Sequence, residues 1–328
     1  MKLEPDSEEP LVTALLVCWN HERFVASAVR SVLHQTYRNI QMIVFDNGST
    51  DGSRSILRAM AAEHGFELVL QENLGLVRAL NRGLRMAKGK YVALLATDDV
   101  WLPDKTRKQV EYFERHPEVG LTFGRVQAID ADGKRFDRDN AMTPYIGDVS
   151  LDDLLWTRKS TNGPTVMART EALNRVGGYD EDIRTEDFAM AMKLAANGIR
   201  ITGLPEVLTL YRRHDSNWTT LESRWRDIQA AGRRYCRTPA DYRRFVRERL
   251  TGEFRRLAGS DKSEAVRLMF SAPVAWPSGD FAVGLARLLW PVRRAGSGRD
   301  PQPGRCNTAS LVVPPNYDTS PDSVARDS

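Results

Sequence analysis

The feature that most constrains the fold is a regular alternation of short apolar runs with amphipathic stretches between residues 11 and 124. Four apolar runs are bounded by polar residues and have the length of buried strands, namely LVTALLV (11–17), IQMIVFD (40–46), FELVLQ (66–71) and YVALLA (91–96). The stretches between them carry apolar residues at helical spacing. This alternation predicts an α/β fold, a doubly wound and mostly parallel sheet with helices on both faces. Ligands of such a sheet bind beyond the carboxyl ends of its strands.

The character of the chain changes after residue 220. Residues 221–258 hold eleven arginines, no lysine and five acids, and their apolar residues recur at helical intervals, which predicts a helical segment. Residues 296–328 are rich in Gly, Pro, Ser and Asp and poor in apolar residues, which predicts disorder. The predicted organisation is a tail (1–10), an α/β domain (11–218, with halves 11–124 and 125–218), a helical extension (219–295) and a disordered tail (296–328).

Bulk composition argues against several classes of protein. The chain has 328 residues and is 41% hydrophobic and 27% charged, as expected of a globular protein with a substantial core. Cys18, Cys236 and Cys306 are far apart and form no CxxC pair, so we expect neither a disulfide framework nor a cysteine zinc site, and we expect a cytoplasmic location. No run approaches the roughly 20 apolar residues of a membrane span. A net charge of +4 without a basic-aromatic module predicts no nucleic-acid partner.

Two acidic motifs follow predicted strands. In FDNGSTDGS (45–53), Asp46 is placed to accept hydrogen bonds from a base N–H or a ribose hydroxyl, although the stretch equally suits a turn with a helix cap. In LLATDDVWLPD (94–104), the adjacent carboxylates of Asp98 and Asp99 would repel each other in a cleft unless a cation or hydrogen bonds compensate. A hard divalent cation is one solution. A solvent-exposed acidic turn is the alternative.

Two further motifs lie in the C-terminal half of this domain. Glu186 and Asp187 open a predicted amphipathic helix in VGGYDEDIRTEDFAMAMKLAANG (176–198). One of them is a general base, or both simply complement the helix dipole. His214, in LYRRHDSNW (210–218), is a metal ligand, a phosphate donor or a structural side chain.

Taken together, these motifs resemble glycosyltransferase family 2, whose members have the GT-A fold. The resemblance covers residues 11–218 and lies in the succession of strand–DNGSTD, NLG…N.G, strand–TDD…PD, GGYDE…ED and YRRH. The segments LLVCWNHERFVASAVRSVLHQTYRNIQMIVFDNGSTD and QENLGLVRALNRGLRMAKGKYVALLATDD are similar to the family almost throughout. The resemblance implies an inverting enzyme of bacterial type that transfers a sugar from a nucleotide-diphospho-sugar to an acceptor hydroxyl. Residues 11–124 would then be the nucleotide-binding half and 125–218 the acceptor half.

The resemblance also implies roles for individual residues. The donor nucleotide is expected to contact Asp46, Asn47, Asn73 and Asp98. Asp99 and His214 are expected to hold a divalent metal, Mg²⁺ or Mn²⁺, beside the diphosphate. Asp187 matches the general base of the family, with Glu186 beside it.

Three features depart from the family pattern. Asn47 stands where many members have a second Asp, which changes the charge available to the base. Ala96 stands where many members have an Asp, which removes one carboxylate from the region of the metal. The segment LESRW (221–225) shares only its Arg-Trp with the QxxRW motif of processive members, so we expect transfer of a single sugar.

The motifs do not identify the substrates. A UDP-sugar is the default donor, and the expected acceptor is a glycan or a lipid-linked molecule of cell-surface glycan or polysaccharide biosynthesis. Acceptor contacts are expected within 140–200, with Trp156, Thr161 and Asn162 as candidates. The alternatives are a non-catalytic relative that binds a nucleotide-sugar and a nucleotidyltransferase. The latter would carry a glycine-rich phosphate loop where this chain has VCWNHERF (17–24).

Residues 263–294 contain two short apolar stretches broken by Pro273 and Pro277. Helical spacing in the second stretch brings together Phe281, Leu285, Leu288, Leu289 and Val292. With arginines nearby, this is the composition of a helix that lies in a membrane interface, which would make the protein peripheral on the inner face of the cell membrane. The alternative is that these stretches pack back onto the α/β domain.

Overall fold

The computed structural model describes residues 9–136, 145–157, 161–214, 224–271 and 279–289. These residues divide into two compact units, whose described parts lie within 9–214 and 224–289. The predicted domain boundary near residue 218 and the predicted tail at 296–328 lie outside the described residues.

The first unit is built on one sheet. Its strands, within the described part of the chain, are β1 (Val12–Cys18), β2 (Ile40–Asn47), β3 (Glu67–Gln71), β4 (Tyr91–Ala96), β5 (Val100–Trp101), β6 (Val119–Ile129), β7 (Gly147–Asp148), β8 (Met167–Arg169) and β9 (Arg200–Arg212). Their spatial order is β3-β2-β1-β4-β8-β6-β9-β5, and β7 pairs with β9. The strands β3, β2, β1 and β4 are all parallel, as predicted. Beyond β4 the sheet is mixed, because β8 runs antiparallel to both β4 and β6, whereas β6 and β9 are parallel.

Helices pack against this sheet. They are α1 (Val25–Leu33), α2 (Ser53–His64), α3 (Leu76–Met86), α4 (Lys105–Arg115), α5 (Leu151–Trp156), α6 (Thr170–Arg175) and α7 (Glu186–Ala196). Strand β1 is buried at every position, as expected of a central strand covered on both faces. Between β4 and α4, the rings of Tyr91 and Phe113 stack with their centroids 4.7 Å apart. The predicted fold class is therefore confirmed.

The sequence pattern missed the shortest strands. Strands β5, β7 and β8 have only two or three residues, too few for a period-2 pattern to be recognised. Strand β8 occupies the residues directly before α6, which begins at Thr170.

The second unit is helical, as predicted. It contains α8 (Trp225–Tyr235), α9 (Pro239–Ser260), α10 (Lys262–Ser271) and α11 (Gly279–Leu289). Thr238 caps α9, since its side chain accepts a hydrogen bond from the backbone N–H of Asp241. Helix α11 packs on α9, and the rings of Phe281 and Phe254 stack with their centroids 5.2 Å apart. Within the described ranges, no helix has the length and apolar character needed to cross a bilayer.

Two glycines of this unit allow a matched test of its packing. A Cβ at Gly252, in α9, would meet no atom within 4 Å, whereas a Cβ at Gly284, in α11, would lie 2.6 Å from a ring carbon of Phe254. We expect Gly252→Ala to raise the free energy of unfolding by about 0.5–1 kcal/mol through helix propensity. Gly284→Ala should lower it, because overpacking costs about 1–3 kcal/mol. Urea unfolding followed by circular dichroism measures both changes, and equal gains would contradict the packing of α11 on α9.

Candidate active site

Strand pairing brings the motifs to one edge of the sheet. In the parallel registers, Cys18 at the end of β1 lies opposite Asp46, and Val17 lies opposite Ala96 at the end of β4. The loops that follow β1, β2 and β4 therefore leave the sheet side by side. Strand β5 pairs antiparallel with β9, with Val100 opposite Leu210, which brings the end of β9 to the same edge.

A cluster of two histidines and one carboxylate lies at this edge. The Nε2 atom of His214 is 3.2 Å from Oδ2 of Asp98, and Nε2 of His21 is 3.9 Å from the same oxygen. One ligand atom from each of the three residues lies within 4.8 Å of the others. Imidazole nitrogens and a carboxylate oxygen are suitable ligands for a divalent transition metal. The donor set therefore fits a metal ion.

The orientation of the His21 ring supports this interpretation. Its Nδ1 is 2.9 Å from the hydroxyl oxygen of Thr97, and that hydroxyl donates its proton to the carbonyl oxygen of Val17. With the Thr97 proton directed to Val17, at 3.4 Å, we assign the hydrogen bond at Nδ1 as one that His21 donates and Thr97 accepts. The lone pair of His21 is then on Nε2, which faces Asp98. Hydrogen bonds of this kind fix the tautomer of metal-binding histidines.

The structure separates the two adjacent carboxylates. Asp99 is 1% exposed, and its Oδ1 accepts a hydrogen bond of 2.8 Å from the backbone N–H of Arg212. The fully buried side chain of Arg212 donates through Nε to the carbonyl oxygen of Asp98 and through Nη1 to the carbonyl oxygens of Asp130 and Ala131. The metal ligand expected beside His214 was Asp99. The residue placed there is Asp98, because the Asp99 side chain turns towards the end of β9.

The environment shifts the proton equilibria of these groups. Burial alone would raise the pKa of Asp98, but the hydrogen bond to His214 and the charges of both imidazoles bring it below its ordinary value. Burial and the neighbouring charge of Asp98 raise the pKa of Asp99 well above its ordinary value. Burial also lowers the pKa of His21, which favours the neutral ring that a metal requires.

The DNGSTD motif makes mainly internal contacts. Asp46 is fully buried, and its Oδ2 accepts a hydrogen bond of 2.5 Å from Nε of Arg54. Asn47 donates to Oδ1 of Asn73 and accepts from the side chain of Gln71. Asn47 and Asn73, expected to contact the nucleotide, thus hold the ends of β2 and β3 together. Position 48 requires glycine, because its φ is +80° and a Cβ there would lie 2.6 Å from the backbone nitrogen of Asn73.

The loops after β1 and β2 are hydrogen-bonded to each other. Oδ1 of Asn20 accepts from the backbone N–H of Thr50, and Oδ2 of Asp51 accepts from the backbone N–H of Glu22. Asn20 has a φ of +57°, a left-handed conformation that Asn adopts more readily than most residues. In the first of these hydrogen-bonded loops, Trp19 is 51% exposed. The arrangement presents a large aromatic surface at the carboxyl edge of the sheet.

Asp187 reaches the same side of the molecule from a separate helix. Strand β8 is antiparallel to β4, so the residues preceding it lie towards the carboxyl end of β4. Asp187 is in the first turn of α7, and a Cβ on Gly163 would lie 2.9 Å from its Oδ2. Its Oδ1 accepts a hydrogen bond of 2.7 Å from the backbone N–H of Phe188. The half-buried carboxylate is therefore held against the turn at Gly163–Thr165.

The GGYDE loop is fixed between α3 and α7. The side chain of Asn81 in α3 donates to the carbonyl oxygen of Tyr179 and accepts from its backbone N–H. Lys193 in α7 donates to the carbonyl oxygen of Gly178 and pairs with Asp180 at 2.9 Å. These contacts set the position at which α7 begins, and thus the position of Asp187.

Two of the residues expected to contact the sugar acceptor lie in the core. Thr161 is 3% exposed and Asn162 is 2% exposed, and the side chain of Asn162 donates to the carbonyl oxygen of Gly124. These side chains thus face the core in this structure, and their contact with an acceptor stays a prediction. Trp156 ends α5 and is half-buried.

Sequence reasoning missed His21, Arg54 and Trp19. His21 and Trp19 follow the first strand, at the edge where ligands were expected, so their position alone was a usable signal. Arg54 is eight residues from Asp46, and only the path of the chain into α2 brings the two together.

The chain is similar to known glycosyltransferases. The sequence model of the family described as Glycosyl transferase family 2 matches residues 13–178. The chain is 30% identical over 227 residues to TuaG of Bacillus subtilis, whose name assigns it to teichuronic acid biosynthesis; the match covers 66% of this chain and 86% of TuaG.

Two solved structures share the fold. One is S. aureus TarS 1–349 in complex with UDP-GlcNAc, with a TM-score of 0.58, 15% identity and coverage of 79% of this chain and 75% of that one. The other is the mannosyltransferase PcManGT from Pyrobaculum calidifontis in complex with GDP-Man and Mn²⁺, with a TM-score of 0.57, 20% identity and coverage of 87% and 82%. The family match, the similarity to TuaG and the shared GT-A fold lead to one conclusion: this chain belongs to glycosyltransferase family 2 and is a glycosyltransferase.

Proposed function

We propose that this glycosyltransferase transfers a single sugar from a nucleotide-diphospho-sugar to an acceptor hydroxyl, with inversion at the anomeric carbon. The observation that carries the proposal is the cluster of His21, Asp98 and His214 at the carboxyl edge of β1 and β4. A second carboxylate, Asp187, comes to this edge from a different helix. One group can thus act on the leaving diphosphate and the other on the attacking hydroxyl.

We assign the metal site to Asp98, His21 and His214. A divalent cation bound there would act as a Lewis acid that stabilises the charge developing on the leaving diphosphate, an effect of several kcal/mol. Two imidazoles and one carboxylate suit Mn²⁺ better than Mg²⁺, which prefers oxygen ligands. Asp99 then acts as a structural brace through Arg212 rather than as a ligand.

We assign the general base to Asp187. In this proposal it accepts the proton of the acceptor hydroxyl, the acceptor oxygen bonds to the anomeric carbon, and the bond from that carbon to the diphosphate oxygen breaks. A base in this role typically adds about 10²–10⁴-fold to the rate. Asp187 belongs to α7 and the metal cluster to the loops at the strand ends, so in this proposal the base and the metal act on opposite sides of the anomeric carbon.

The substrates are proposed by analogy. UDP is the default nucleotide, supported by TarS, which binds UDP-GlcNAc, although PcManGT binds GDP-Man. The similarity to TuaG supports an acceptor in cell-surface glycan or polysaccharide biosynthesis. Transfer of a single sugar is supported by Trp225, the Trp of the Arg-Trp pair that this chain shares with the motif of processive members. Its indole N–H donates to Glu264, which indicates that this pair serves packing within the helical unit.

We also propose that the helical unit binds an anionic membrane surface peripherally. Its described residues, 224–271 and 279–289, carry fourteen basic and seven acidic side chains. Phe270 is 82% exposed and Leu289 is 73% exposed, whereas Phe281, predicted on the membrane face, is 5% exposed and packs on Phe254. Exposed apolar side chains among arginines are typical of helices at a lipid interface. The free thiols of Cys18 and Cys236 favour the reducing, inner face of the membrane.

The metal assignment predicts a contrast between two isosteric variants. Asp98→Asn should weaken Mn²⁺ binding by at least about 10- to 100-fold, because it removes the carboxylate that faces both histidines. Asp99→Asn should bind Mn²⁺ like the wild type, because its amide oxygen still accepts from Arg212. Electron paramagnetic resonance of free Mn²⁺ measures both affinities without an activity assay. Loss of Mn²⁺ binding in Asp99→Asn alone would restore the assignment expected from the family pattern.

The general base is tested by separating binding from chemistry. Asp187→Asn should bind the donor normally and lower the transfer rate at saturating donor by at least about 10². Gly163→Ala should also lower the rate, by a smaller factor, because its Cβ would displace the Asp187 carboxylate. Release of nucleoside diphosphate from a panel of UDP- and GDP-sugars gives the rates, and calorimetry gives donor affinity. A normal rate with weakened donor binding in Asp187→Asn would remove it from the chemical step.

Membrane contact is tested by flotation with liposomes that contain an anionic lipid. The wild type should float at low salt and less at high salt, because charge and apolar contact both contribute. Phe270→Glu combined with Leu289→Glu should abolish flotation. Ile146→Glu, at a residue of the first unit that is 54% exposed, is the matched control and should float normally. If wild type and double variant both stay in the soluble fraction at low salt, the proposal of membrane contact is wrong.

A further inference from the structure

The carboxylate of Asp46 does not face the ligand edge directly. Its side chain is 0% exposed, and both oxygens are used, Oδ1 by the backbone N–H of Ser49 at 3.1 Å and Oδ2 by Nε of Arg54 at 2.5 Å. A buried carboxylate with its oxygens engaged gains little by exchanging a guanidinium for a neutral N–H of a base. A role for Asp46 in donor binding must therefore pass through Arg54.

Arg54 faces an open groove. Its side chain is 36% exposed, and Nη2 makes a long hydrogen bond of 3.5 Å to the carbonyl oxygen of Gln71. Among the described residues, Nη1 has no hydrogen-bond partner. The groove has a volume of about 580 Å³, and Ser49, Arg58 and Asn73 also line it. Arg54 thus presents unused donors to a cavity large enough for part of a ligand.

The sheet sets the distance of this groove from the metal cluster. Asp46 ends β2 and Asp98 follows β4, with β1 between them. Two strand spacings amount to roughly 10 Å. A nucleoside diphosphate whose phosphates lie beside Asp98 therefore has its base, on the far side of the ribose, near Arg54.

The chemistry of Arg54 restricts which base fits. A guanidinium is a donor only, so its partner on the base must be an acceptor. Uracil and guanine present a keto oxygen on the hydrogen-bonding edge, and arginine is a common partner of the O6 and N7 atoms of guanine. Adenine has acceptors at its ring nitrogens but an amino group where guanine has its keto oxygen, so a guanidinium that faces this position meets a second donor. Two donor groups that face each other cannot form a hydrogen bond.

We infer that Arg54 is the residue that selects a keto base, uracil or guanine, in the donor, and that Asp46 is a positioning residue that holds Arg54 in place. This inference rests on the proposed function, because it assumes a nucleotide-sugar donor. In this inference the base contacts Arg54, the ion-pair partner of Asp46, and does not contact Asp46 itself.

The test is a double-mutant cycle read by calorimetry with UDP, GDP and ADP in the presence of Mn²⁺. The wild type should bind UDP and GDP at least about tenfold more tightly than ADP. Arg54→Gln should lose this preference by weakening UDP and GDP but not ADP. Asp46→Asn should weaken UDP and GDP binding in the wild-type background and have no further effect in the Arg54→Gln background.

Three outcomes would overturn the inference. An undiminished effect of Asp46→Asn in the Arg54→Gln background would mean that Asp46 contacts the base itself. Equal weakening of all three nucleotides by Arg54→Gln would mean that Arg54 binds phosphate. A wild type that binds none of the three nucleotides would overturn the proposed function as well, so the two failures are distinguishable.

Two further variants keep the result interpretable. Arg58→Gln makes the same change of charge one turn along α2 and should alter the three affinities equally, if at all. Arg54→Lys keeps the ion pair with Asp46 but not the planar guanidinium, and it should retain the fold with a reduced preference for keto bases. Thermal unfolding of every variant separates lost selectivity from lost structure. A full preference for UDP and GDP over ADP in Arg54→Lys would also contradict the role of the guanidinium.

Discussion

The parallel pairing of β1 with β2 and β4 is the constraint on which the site depends. It places the ends of three strands, at Cys18, Asp46 and Ala96, side by side. A slip of one residue would exchange the side chains on the two faces of β1. Because β1 is buried at every position, every exchanged side chain would have to be repacked in a close-packed core. The same burial that stabilises the sheet therefore fixes the relative positions of His21, Asp98 and Asp46.

Arg212 is the second brace of the site. Its fully buried guanidinium donates to the carbonyl oxygens of Asp98, Asp130 and Ala131, and its backbone N–H donates to Asp99. A buried guanidinium is costly unless its donors are satisfied, so these contacts strongly favour one arrangement of the loops. That arrangement brings His214, two residues further on, to Asp98. The Asp99 carboxylate thus stabilises the loops, and the adjacent Asp98 carboxylate faces the histidines.

Periodicity was sufficient for the architecture but not for all of the site. The runs at 11–17, 40–46 and 91–96 became β1, β2 and β4 with shifts of at most one residue, because long apolar runs have a clear pattern. Spacing could not decide between Asp98 and Asp99, since side-chain direction in a loop depends on tertiary hydrogen bonds. The link between His21 and Asp98 arises only when β1 pairs with β4. The engagement of Asp46 by Arg54 depends on where α2 begins.

The proposed chemistry depends on where a metal binds at this edge of the sheet. The most direct measurement is anomalous diffraction at the Mn²⁺ absorption edge from crystals grown with Mn²⁺ and UDP. The account predicts one strong peak within coordination distance of Oδ2 of Asp98 and of Nε2 of both His21 and His214. A peak coordinated by Asp99, or one that touches neither histidine, would contradict it.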